Sequence, residues 1–141
     1  MNSQETSLVA LLVARAFELA GVPYALVGSL ASTVHGEPRG TLDVDFASLM
    51  RAEHVDRFHQ QVSPSFAIDP AWIREAVHEQ RMFQLVHLGT YIKVDVYVRV
   101  GQGPDAAQVL RARRVNFGES PGDDLMIASA EDTIFAKAAL V

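Results

Sequence analysis

Asp43 and Asp45 stand one residue apart in the stretch "ALVGSLASTVHGEPRGTLDVDF", which runs from Ala25 to Phe46. On an extended strand, alternate side chains point to the same face, so the two carboxylates repel unless something positive lies between them. Asp95, in "YIKVDVYV", is a third carboxylate on the polar side of a strand whose other face is Ile92, Val94, Val96, Val98 and Val100. Three acidic groups of this kind suit a divalent cation. Mg²⁺ takes hard oxygen ligands and keeps positions open for water or substrate phosphate, and Mn²⁺ shares its carboxylate and water preferences. Upstream, Gly28 and Ser29 follow an apolar strand and open a helix. The amides and positive end of such a turn attract phosphate oxygens.

The elements that must carry these residues are readable from pattern. Leu8, Leu12, Ala16 and Leu19, with Val9, Val13 and Ala20 alongside, predict a helix over Gln4 to Ala20, stopped by Gly21 and Pro23. Tyr24 to Val27 reads as a buried strand, with Ser29 as N-cap of the following helix. A loop at Gly36 to Gly40 precedes the Asp strand, Leu42 to Phe46. Beyond it the pattern predicts a surface helix over Arg51 to Val62, a short strand at Phe66 to Asp69 and a helix over Ala71 to Val77 opened by Pro70. Met82 to Leu88 and Tyr91 to Val100 form an antiparallel hairpin. A short helix to about Ala112, strands at Val115 to Phe117 and Leu125 to Ala128, and a last helix capped by Ser129 and Asp132 complete the chain.

With 141 residues and no internal repeat or linker, the chain is expected to be one domain, 1–141. Its 12 basic and 17 acidic residues give a formal charge of -5, which argues against a broad phosphate-neutralising surface and leaves room for a local basic groove. The absence of cysteine excludes disulfides, thiolate metal sites and cysteine nucleophiles. Leu8 to Ala14 is too short for a membrane span and lacks a basic flank before it, so a cytoplasmic protein without membrane contact is expected.

Plainer readings stand beside the chemical ones. Asp43 and Asp45 would also suit a solvated edge strand, and Ser29 a simple cap. Ser29 is no hydrolase nucleophile, because Val27 and Ala31 occupy the places of the two glycines in a nucleophile elbow. Arg39 and Thr41 are placed either to touch phosphate or to be solvated loop residues. The five histidines show no zinc-ligand spacing. Arg111, Arg113 and Arg114 read as a solvated patch at the end of a short helix, or as a contact for a nucleic-acid acceptor.

Gly28-Ser29, thirteen further residues, Asp43-Val44-Asp45 and later Lys93-Val94-Asp95 together resemble the polymerase-beta-type nucleotidyltransferase superfamily. More narrowly, "VGSLASTVHGEPRGTLDVDF", "YIKVDVYV" and "SAEDTIFAKAAL" are similar to the abortive-infection-type nucleotidyltransferases of toxin-antitoxin systems, over about Leu8 to Leu140. The resemblance implies an α+β nucleotidyltransferase fold, a mixed twisted β-sheet flanked by helices. It implies that Asp43 and Asp45 bind two Mg²⁺ ions with a nucleoside triphosphate, that Asp95 is the third ligand and helps activate the acceptor hydroxyl, and that Gly28 and Ser29 hold the β and γ phosphates. Lys93 and Lys137 would steady phosphate charge. Asp132 and Lys137 are five residues apart, where the family's last motif spaces them by four. The acceptor implied first is a transfer RNA end, with a protein hydroxyl or an aminoglycoside-like small molecule as alternatives. A non-catalytic nucleotide-binding or regulatory module of a two-protein system, and a metal-dependent phosphohydrolase, are the rival functions. The apolar residues Ile134, Phe135, Ala138 and Leu140 predict a helical protein partner or a second copy near the C-terminus.

Overall fold

The computed structural model describes residues 3–28, 30–31, 44–99, 104–116, 118 and 120–129. Helix α1 covers Ser3–Ala20 and strand β1 Tyr24–Val27. Strand β2 covers Val44–Ser48, and a 3-10 turn at Ala52–His54 leads into α2, Val55–Val62. Then come β3 (Phe66–Ala67), α3 (Pro70–Glu79), β4 (Met82–His87), β5 (Lys93–Val98), α4 (Pro104–Leu110), β6 (Arg113–Asn116) and β7 (Asp124–Ile127). The strands form one mixed sheet in the order β3-β4-β5-β2-β1-β7-β6. The expected mixed sheet flanked by helices is thus the observed architecture.

The turn out of α1 shows why the helix ends where its sequence says. Gly21 takes a φ of +77°, a left-handed conformation that costs glycine nothing. Val22 N then donates to Phe17 O (2.9 Å) and Gly21 N to Glu18 O (3.2 Å), which satisfies the last carbonyls of the helix. At α3, Asp69 accepts a hydrogen bond from Ala71 N at 2.9 Å, with Pro70 in the first turn, where its missing N–H is no loss.

Alternation divides the strands between two faces. Tyr24, Leu26, Val44, Phe46, Val94, Val96 and Val98 face the main core, under α1, α2 and α3. Phe17 is its hub, stacked on Tyr24 at 5.1 Å and on Phe58 at 4.9 Å and set edge-on to Phe46 at 5.3 Å. Such aromatic pairs contribute about 0.5–1.5 kcal/mol each beyond the area they bury. The buried side of α1 is Val9, Ala10, Val13, Ala14 and Phe17, whereas Leu8, Leu12 and Leu19 are exposed. Of the residues whose spacing marks the helix, Val9, Val13, Ala16 and Ala20 face the core and the three leucines do not. Val and Ala let the helix approach the sheet closely, and Phe17 fills the space that remains.

On the other face, α4 lays Val109 over Ala25, Val27 and Ala47. The small alanines make that close approach available. Other boundaries differ from the expected ones by a few residues, and the Arg51 to Val62 segment opens with a 3-10 turn before becoming α-helical. Arg113 and Arg114 belong to β6 rather than to a helix end. Arg114 pairs with Asp124 (3.0 Å) and Glu18 (3.2 Å), so it fastens the β6–β7 hairpin to α1. No helix among the described residues is long and apolar enough to cross a membrane. The expected last helix, with Asp132, Ile134, Phe135, Ala138 and Leu140, lies outside the described residues, as does the loop at 36–40.

Candidate functional site

Strand β2 lies inside the sheet, hydrogen-bonded to β1 on one side and β5 on the other. This removes the edge-strand reading of Asp45. The β2–β5 pairing is parallel and sets Asp45 directly opposite Asp95. Paired residues point to the same face and adjacent strands lie about 4.8 Å apart, so the two carboxylates are neighbours. Both are half-buried.

Two further partners complete this row across the sheet. On one side Val27 is opposite Asp45, and β1 then turns at Gly28. Gly28 has a φ of +75°, and helical conformation follows at Leu30 and Ala31. A Cβ at Gly28 would sit 2.6 Å from Asp45 Oδ2 and 3.2 Å from Asp45 Cβ, so the carboxylate lies against the bare face of the glycine. On the other side Gln84 of β4 is opposite Asp95 and donates from Nε2 to Asp95 Oδ1 at 2.8 Å. Lys93 is on β5 two residues before Asp95, on the same face and exposed.

The structure thus brings together Gly28, Asp45, Asp95 and Lys93. Asp43, Ser29, Arg39, Thr41 and Lys137 lie outside the described residues. Among the described residues no group of three acidic or histidine side chains is arranged to hold a metal ion. The pair at Asp45 and Asp95 is what they contribute. Its donors are carboxylate oxygens, the hard ligands that Mg²⁺ or Mn²⁺ takes, and they sit beside a helix-opening turn. Gln84 was not among the expected site residues. The hairpin register could have found it, since the short connection that sets His87 N on Ile92 O also aligns Gln84 with Asp95.

Solved structures share this arrangement of strands and helices. A Thermotoga maritima protein assigned as a nucleotidyltransferase matches with a TM-score of 0.63 and 17% identity, over 99% of this chain and 87% of that one. The fold is the nucleotidyltransferase fold. An antigenic nucleotidyltransferase-like protein of Paracoccidioides brasiliensis matches at 0.61 and 20% identity, over 97% of this chain and 66% of its own. The lincosamide antibiotic adenylyltransferase LnuA, in its lincomycin-bound form, matches at 0.59 and 17% identity, over 96% of this chain and 86% of that one. Neither family models nor curated proteins match the sequence, so the likeness is carried by the nucleotidyltransferase fold itself.

Proposed function

We propose that the protein is a Mg²⁺-dependent nucleotidyltransferase, moving a nucleoside monophosphate from a nucleoside triphosphate to an acceptor hydroxyl. The observation that supports this reading most directly is Asp45 opposite Asp95 on a central strand pair, with Gly28 against the Asp45 carboxylate. In a solvated surface strand neither the register nor the bare glycine would be required.

In the proposed reaction the acceptor oxygen attacks the α-phosphorus in line. The new O–P bond forms as the bond to the bridging α–β oxygen breaks, and pyrophosphate leaves. The hydroxyl proton passes to the Asp95 carboxylate. Asp45 and Asp95, with Asp43, would hold the divalent ions, and Mn²⁺ can replace Mg²⁺. Bound there, the metal supplies charge neutralisation on the attacking and leaving oxygens. In this reading Gly28 and Ser29 would hold the β and γ phosphates, and Lys93, Lys137, Arg39 and Thr41 would contact phosphate oxygens.

The first acceptor proposed is a transfer RNA end, in a toxin-antitoxin or phage-defence setting, supported by the sequence resemblance. A small hydroxyl-bearing molecule is the second, supported by the fold likeness to an antibiotic adenylyltransferase. Incubation with α-³²P-labelled nucleoside triphosphates, Mg²⁺ and either total transfer RNA or a set of aminoglycosides and lincosamides tests both. Label on an acceptor with pyrophosphate release is the expected result. Free phosphate without transfer would make the protein a phosphohydrolase, and nucleotide binding with neither product would make it a regulatory module.

A further inference from the structure

Asp95 is gripped from the β4 side. Gln84 Nε2 donates to its Oδ1 at 2.8 Å, and the two residues stand directly opposite each other. The residues on either side of Gln84 on the same face of β4 are Met82 and Val86. The amide is therefore the sole polar side chain that β4 sets on this face. We propose that Gln84 is the positioning residue for Asp95: by occupying Oδ1 from β4 it fixes the carboxylate's rotation and leaves the second oxygen for a cation shared with Asp45, the residue opposite on β2. The inference rests on the reading of Asp45 and Asp95 as ligands of a divalent ion.

The chemistry explains why the residue is a glutamine. A carboxylate in a fixed orientation binds a cation without first losing rotational freedom, and hydrogen bonds to ligating carboxylates carry much of a site's affinity. The donor must not itself cancel the charge. Arginine or lysine at position 84 would form an ion pair with Asp95 and compete with the metal, whereas a neutral amide orients the carboxylate and leaves its charge intact. Glutamate would add repulsion and donate nothing.

The test uses the metal-free full chain and Mn²⁺ alone, titrated by electron paramagnetic resonance, beside melting temperatures. Gln84→Met keeps the side chain's length and removes the donor. Its Mn²⁺ dissociation constant is expected to rise about 10- to 100-fold while the metal-free melting temperature changes little. Gln84→Lys, which keeps a donor and adds charge, is expected to bind Mn²⁺ more weakly still. Wild-type affinity in either variant overturns the proposal, and so does a Gln84→Met protein that loses melting temperature with unchanged affinity. Gln84→Leu replaces the methionine variant if that one does not fold. Asp95→Asn separates the two levels of the argument. If it abolishes Mn²⁺ binding while Gln84→Met does not change it, only the role of Gln84 falls; if the wild-type chain binds no Mn²⁺, both readings fall.

Discussion

The α-carbon of Gly28 and the carboxylate of Asp45 occupy adjoining space with no room for one more carbon: a Cβ on the glycine would lie 2.6 Å from Asp45 Oδ2. A turn and an acidic side chain are thereby fitted to each other.

Gly28→Ala meets two penalties, a left-handed φ of +75° and the Asp45 contact. The first alone costs about 1–2 kcal/mol. The second displaces the carboxylate. A lowered melting temperature together with lost nucleotidyl transfer is expected, and Gly28→Ala with both unchanged in a thermal melt and a transfer assay contradicts the fit.

Asp45→Asn and Asp95→Asn, and likewise Asp43→Asn, each remove an anionic ligand at constant size. Transfer with Mg²⁺ is expected to collapse in each. The metal-free melting temperature is expected to stay level or rise, because like charges on neighbouring strands repel. Measuring both quantities on the same preparation distinguishes a ligand from a carboxylate needed only for folding, which would lower the melt.

Adding Mg²⁺ or Mn²⁺ with a nucleoside triphosphate is expected to raise the melting temperature. Binding to the native state alone contributes about 2.7 kcal/mol at a hundred times the dissociation constant. A chelator is expected to abolish the shift, and no shift with any common nucleotide at millimolar concentration counts against the site.

Stability should fall at both ends of the pH range, for two different reasons. Arg114 beside Asp124 holds its carboxyl below the ordinary value of 3.8. A depressed folded value means that this contribution is fully present above pH 3.8 and is lost as pH falls through the lower folded value. Burial, and then the hydrogen bond to Glu18, push the Tyr24 hydroxyl above its ordinary value of 10. That contribution is present below pH 10 and is lost as pH rises beyond it. Urea melts against pH are expected to lose their acid slope partly in Arg114→Ala and their alkaline slope in Tyr24→Phe. The second variant also costs about 1–3 kcal/mol at neutral pH, because it strands the Met126 N–H that donates to Tyr24 Oη at 3.2 Å.

Period and punctuation made α1, β1 and the β4–β5 hairpin legible, since each is bounded by Gly or Pro and carries a clear face. Asp95 was placed on the polar side of its strand by the run of valines alone. The order of strands was not legible: nothing local in "LDVDF" says that it pairs in parallel with "KVDVYV" and not along a sheet edge. The spacing in α1 marks a helix without deciding its buried side: Leu8 and Leu19 are exposed, whereas Val13, Ala14 and Phe17 lie in the core. Gln84 is silent in the sequence, because an uncharged amide in a strand announces no chemistry until its neighbour across the ladder is known.

The parallel pairing of β2 with β5 also bears on when the site comes into being. The β4–β5 hairpin closes through a short connection, so Gln84 and Asp95 can meet early and locally. Asp45 joins them only after α2, β3, α3 and β4 have been laid down and the longer loop has been closed, which is the slower, entropically dearer step. A chain stalled before that point carries an oriented Asp95 without its opposite carboxylate, and it keeps two like charges apart until the core under them has formed. On the proposed reading, cation binding would require the finished topology, because only there do Asp45 and Asp95 stand opposite each other.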